Sequence, residues 1–170
     1  MLRLLLLTLA LLLAGCDSRP QFVNTDISEA GYARDFALTD HNGKPRTMAD
    51  FRGKAVVIFF GYTQCPDVCP TTMTGMAEAM KLLGGDAAKV QVLFVTVDPE
   101  RDTQQLLAQY VPVFNPSFLG LYADAQTIAR TAQEFRVFYK KQPGSTPTTY
   151  TVDHSAGSYV YDPQGRLRLY

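Results

Sequence analysis

The sequence has no surplus of either charge: 16 Lys and Arg stand against 16 Asp and Glu in 170 residues. That balance leaves no basic face for a phosphate backbone and no acidic tail, which argues against nucleic acid as a partner. Cysteine is scarce, with three residues. That is too few for a small disulfide-stapled scaffold, and the odd number leaves one outside any pair. No run is long enough to span a membrane: Leu4–Leu13, broken only by Thr8, falls short of the about 20 residues required. Internal repeats and low-complexity tracts are also absent. What remains is 46% apolar and 19% charged residues, enough to bury one full core and to exclude global disorder.

The short apolar run fits the central region of a secretory signal, preceded by the positive charge of Arg3. It ends in Leu13-Ala14-Gly15-Cys16, which resembles the lipobox of bacterial lipoproteins. The resemblance implies cleavage before Cys16 and acylation of its sulfur, and more than one acyl chain makes such an anchor stable. The third cysteine is thereby accounted for. Losing Arg3 with the signal leaves one net negative charge, so lipid rather than electrostatics is expected to hold the chain at the membrane. Asp17, next to the cysteine, resembles the retention signal of inner-membrane lipoproteins.

The expected organisation is therefore a signal over residues 1–15, a polar tether over 16–31 and one domain over 32–170. Within the domain, Phe36–Asp40 reads as a short strand and His41-Asn42-Gly43-Lys44 as a turn. Ala55–Phe60 and Val90–Val97 are continuous β-branched and aromatic runs that suit strands covered on both faces. Thr71–Leu83 has helical spacing and stops at Gly84-Gly85. Further helices are predicted over Thr103–Val111 and Ala125–Phe135, with Asp102 and Asp124 as N-caps. A short strand fits Ser117–Tyr122, and a hairpin of Ser158–Asp162 and Arg166–Tyr170 turns at Pro163 and Gly165. This order predicts an α/β protein with a mixed central sheet, parallel in the middle and flanked by helices, which suits a thioredoxin-like fold. Phe59, Phe60, Phe94, Phe114 and Phe118 read as core.

Cys65 and Cys69 lie between the first buried strand and the first long helix, at the sheet edge where α/β proteins build sites. Pro70 disfavours helical geometry at Cys69, so the expectation is Cys69 as N-cap, Pro70 as first helical residue and Pro66-Asp67 at the centre of a preceding turn. Such a turn can bring the Cα atoms within disulfide range, which makes the two cysteines a candidate redox pair. Two converging thiolates also select soft or borderline ions such as Cu(I) and Zn(II). Structural zinc wants four protein ligands, and only two usable cysteines and two histidines are present. His41, beside the Asn42-Gly43 turn, reads as a solvated loop residue, whereas His154 precedes the final hairpin and is open to either a ligand or a structural role.

Several separated motifs together resemble the Sco/SenC family of copper-binding proteins that help assemble cytochrome c oxidase. They are Phe60-Gly61-Tyr62-Thr63, Cys65-Pro66-Asp67-Val68-Cys69-Pro70, the run from Val95 to Asp102, Asp153-His154-Ser155 and Asp162-Pro163-Gln164-Gly165. The resemblance spans about Phe36 to Tyr170. It implies a thioredoxin-like fold and copper held by Cys65, Cys69 and His154, with Asp153 as a candidate to orient the ligands, although a loop carboxylate bonding backbone amides suits Asp153 better. The expected partners are the copper-containing oxidase subunit and, as a further candidate, another copper chaperone, with the domain on the outer face of the bacterial membrane. In the run Asp98-Pro99-Glu100-Arg101-Asp102, Pro99 ends the strand, Asp102 caps a helix and the charges pair at the surface. Relatives commonly continue past the last strand into a final helix, so the stop at Tyr170 predicts a less covered sheet face or a truncated chain.

Two other functions compete. A thiol–disulfide oxidoreductase would use the same cysteines to reduce those of the oxidase subunit, though it would not need His154. A thiol peroxidase would need a low-pKa cysteine, but no arginine stands beside Cys65 in sequence and Arg52 is distant.

Overall fold

The computed structural model describes residues 22–146 and 149–170; the expected signal, Cys16 and Asp17 lie outside them. The strands are β1 (Leu38–Asp40), β2 (Pro45–Arg46), β3 (Ala55–Gly61), β4 (Val90–Thr96), β5 (Leu119–Tyr122), β6 (Tyr139–Gln142), β7 (Thr151–His154), β8 (Ser158–Tyr161) and β9 (Leu167–Leu169). The α-helices are α1 (Val68–Leu83), α2 (Gln104–Phe114) and α3 (Ala125–Glu134). Among the described residues no helix is long and apolar enough to cross a membrane.

Seven strands form one sheet in the order β2-β1-β5-β4-β3-β8-β9. Its centre is parallel, β3 with β4 and β4 with β5, and its flanks are antiparallel. The thioredoxin-like α/β expectation holds. Alternation along β3 sends successive rings to opposite faces. Phe59 meets Phe94 on one face, and Phe60 meets Phe135 and Tyr159 on the other. Helix α1 buries Cys69, Met73, Ala77 and Met80, one stripe at helical spacing. Four of the five phenylalanines expected in the core are buried, and Phe114 packs against it while partly exposed.

Three expectations of local structure need correction. Helix α1 starts at Val68 with Asp67 as N-cap, so Cys69 lies inside the first turn and Pro70 is the third helical residue. The first four N–H groups of a helix have no intrahelical acceptor, so proline costs no bond there. Helix α2 is capped by Thr103, whose side chain accepts from Leu106 N at 3.2 Å, and not by Asp102; Asp124 does cap α3. The hairpin of β6 and β7 stands apart from the main sheet and was not expected. Part of the segment read as a tether also lies on the domain: Ile27 N donates to Arg168 O at 2.9 Å, and Tyr170 N donates to Thr25 O at 3.0 Å.

Candidate metal centre

The carboxyl ends of β3 and β4 open onto the loop that carries Cys65 and onto the first turn of α1, which carries Cys69. Cys65 N donates to Tyr62 O at 3.2 Å and closes the loop into a turn. The free N–H of Cys69 donates to Cys65 Sγ at 3.4 Å. Both cysteines are reduced and buried. From the other side β7 ends at His154, in register with Tyr139 of β6.

Cys65 Sγ, Cys69 Sγ and a ring nitrogen of His154 all lie within 4.8 Å of one another. His154 Nε2 is 3.3 Å from Cys69 Sγ, and Nδ1 is 3.0 Å from Ser155 O. A carbonyl only accepts, so the proton sits on Nδ1 and the Nε2 lone pair faces the sulfurs. Phe59 and Tyr62 hold the imidazole edge-on, with ring centroids at 6.0 and 5.9 Å. Burial, aided by the hydrogen bond with Cys65, pushes the Cys69 thiol far above its ordinary pKa, so Cys69 keeps its proton at neutral pH in the metal-free protein.

This donor set fits a soft ion. Ligands about 2.0–2.3 Å from a shared centre lie within about 4.6 Å of each other, so the three atoms need little movement to share one ion. Among the described residues no fourth Cys, His or carboxylate joins them. Three donors with two sulfurs suit Cu(I) better than structural zinc, which wants four.

Asp153 is not part of this group. Strand alternation turns it to the far face of β7, where it is exposed and accepts from Gln142 Nε2 at 2.6 Å. His41 is not solvated either: it is buried, and its Nδ1 accepts from Gly120 N at 3.0 Å, extending the contact between β1 and β5. Burial lowers its pKa. Arg52 binds Gln164 O at the start of β3, the opposite end of the strand from the cysteines, so it supplies no guanidinium to them.

In the acidic turn after β4, Glu100 pairs with Lys141 at the surface as expected, but Asp98 and Asp102 belong to a buried network. Asp98 and Asp102 are 0% and 2% exposed. Asp102 accepts from Thr63 N at 3.0 Å, Thr63 Oγ1 at 2.6 Å and Thr96 Oγ1 at 2.7 Å, pinning the cysteine loop to the end of β4. Burial raises its pKa, and these hydrogen bonds oppose the rise. Sequence reasoning assigned these residues to capping and surface pairing; the only signal was the density of acidic residues directly after a buried strand.

The SCO1/SenC family model matches residues 24–170. The chain belongs to the SCO1/SenC family. The mitochondrial SCO2 homolog of Bos taurus is 43% identical over 138 residues, covering 80% of this chain and 52% of its own length. The chain thus spans about half the length of that curated relative. The SCO2-like protein of Rickettsia felis is 36% identical, covering 78% of this chain and 65% of its own length. Among solved structures, Bradyrhizobium japonicum ScoI with copper bound superimposes with a TM-score of 0.74 at 44% identity, covering 78% of this chain and 84% of that one. Yeast Sco1 with copper bound gives 0.71 at 33% identity, covering 79% and 77%.

Proposed function

We propose that this Sco/SenC protein is a copper metallochaperone that binds one copper ion through Cys65, Cys69 and His154 and delivers it to the copper-containing subunit of a cytochrome c oxidase. The convergence of two sulfurs and one imidazole nitrogen within 4.8 Å carries this reading. The relatives solved with copper bound support it. Titrating the reduced protein with Cu(I) against a chelator should give one ion per chain, and Cys65→Ser should abolish binding at competing chelator concentrations. Undiminished affinity in Cys65→Ser would end the proposal. Because the buried Cys69 thiol must give up its proton to bind, apparent affinity should rise with pH. The slope is about tenfold per pH unit for each proton displaced.

The same cysteines support a second activity. Dithiol exchange passes two electrons and two protons to a partner's disulfide and leaves Cys65–Cys69 oxidised. Cys69 is fully buried and Cys65 is 9% exposed, so Cys65 is the sulfur a partner can reach. Oxidation ties up both sulfur ligands, so the redox state of the pair gates copper loading.

We place the protein on the outer face of a bacterial membrane, anchored by lipid on Cys16, with Asp17 favouring the inner membrane of a two-membrane cell. Cys16→Ser should move the protein from the membrane to the soluble exported fraction; unchanged fractionation would remove the anchor.

A further inference from the structure

His154 ends a two-stranded hairpin that is separate from the main sheet, so the seven-stranded ladder does not set the distance of its ring from the sulfurs. The geometry points to Arg101 as the positioning residue for His154: its guanidinium ties the residue that leads into β7 to the buried turn after β4, holding the imidazole against Cys69. The inference rests on the copper reading above.

Arg101 Nε pairs with Asp98 Oδ2. Its Nη1 donates to Tyr150 O at 2.9 Å, and its Cζ lies 3.6 Å from the centroid of the Tyr150 ring. Tyr150 Oη donates to Asp98 Oδ1 at 2.7 Å. A single ion pair thus grips Tyr150 at its carbonyl, ring face and hydroxyl, directly before β7 begins at Thr151. Arg101 also lies over Tyr62, 5.7 Å from that centroid, and Tyr62 packs edge-on against His154.

The cysteine side has anchors of its own. Asp102 holds Thr63, Cys65 N is bonded to Tyr62 O, and Cys69 is fixed in α1. Arg101 reaches that side through Nη1 to Gln64 Oε1 at 3.1 Å, on an exposed side chain, and through the Tyr62 ring at 5.7 Å, and neither contact touches the backbone bonds that hold the cysteines. Loss of Arg101 should therefore release the histidine and leave the dithiol in place.

The energetics favour positioning over stability. The Arg101 side chain is 14% exposed, and its Nη2 is buried without a hydrogen-bond partner. A buried ion pair with an unsatisfied N–H gains little over an apolar replacement of the same shape. A planar guanidinium does address several acceptors and a ring face at fixed angles, which lysine cannot.

The test is a double-mutant cycle read by Cu(I) competition. Arg101→Met leaves Asp98 buried and unpaired, so the double variant Asp98→Asn/Arg101→Met, which removes both charges, is measured beside it. Each should lower Cu(I) affinity by about 10- to 100-fold, the range seen when groups that orient ligands are removed. In a His154→Ala background each should change affinity by less than about twofold, because effects acting through one group do not add. Amide hydrogen exchange of the metal-free protein should speed up at Val152–His154 and stay unchanged in α1. Affinity within twofold of the parent, or an equal loss with and without His154, would overturn the assignment. If the parent itself fails to bind Cu(I), the copper reading falls, and the exchange comparison alone decides whether Arg101 holds the hairpin.

Discussion

His154→Ala should weaken Cu(I) binding about 100-fold while leaving dithiol–disulfide exchange within twofold. A hundredfold corresponds to about 2.7 kcal/mol, a reasonable share for one of three ligands when the two sulfurs remain. The imidazole enters from a hairpin outside the main sheet, whereas the cysteines belong to the β3–α1 connection. Removing the ring therefore leaves the dithiol geometry intact. Thermal stability should fall only modestly, because His154 is partly exposed and lies at a strand end. The two readouts separate the proposed activities, since metal binding needs the nitrogen and exchange needs only sulfur. A variant that binds Cu(I) as tightly as the parent would show that His154 is no ligand and leave redox exchange as the function. Loss of both properties together would mean that the hairpin supports the cysteine loop.

The strands and helices that carry a strong local pattern were legible from sequence. The apolar runs of β3 and β4 and the helical stripe from Cys69 to Met80 each have one satisfactory conformation. Residues whose role depends on partners distant in the chain were not. Tyr139-Lys140-Lys141-Gln142 is polar, and in its partner strand only Val152 is buried, so neither strand announces itself by alternation. His41 beside an Asn-Gly turn looks solvated until β5 brings Gly120 N to its Nδ1. Asp102 looks like a cap until the fold places Thr63 and Thr96 around it. The donor set itself was readable because soft ligands are rare in this chain, with two cysteines and two histidines in the domain. What holds His154 at the right distance was not, because that depends on Arg101 and Tyr150, 49 positions apart.

Gly61→Ala should damage both the fold and the metal centre. Gly61 ends β3 without a left-handed backbone, so its requirement for glycine is steric. A Cβ there would lie 2.9 Å from Cys69 Sγ, 2.9 Å from Phe59 Cε1 and 3.0 Å from Phe94 Cε2. All three neighbours are fully buried side chains, two of them core rings, so none can move without a cost. Overpacking of this kind costs about 1–3 kcal/mol. At about 2–4 °C per kcal/mol for a chain of this size, the melting temperature should drop by several degrees. The strain has two outlets: displacing the rings costs stability alone, whereas rotating Cys69 Sγ away moves a ligand from His154, now 3.3 Å distant. Because the methyl presses on rings and sulfur at once, Gly61→Ala should lose Cu(I) affinity as well as melting temperature. Gly75→Ala, on an open part of α1, should lose neither. A Gly61→Ala protein that melts and binds like the parent would mean that the strand end can shift to relieve the contact, and that the close approach does not set where Cys69 points.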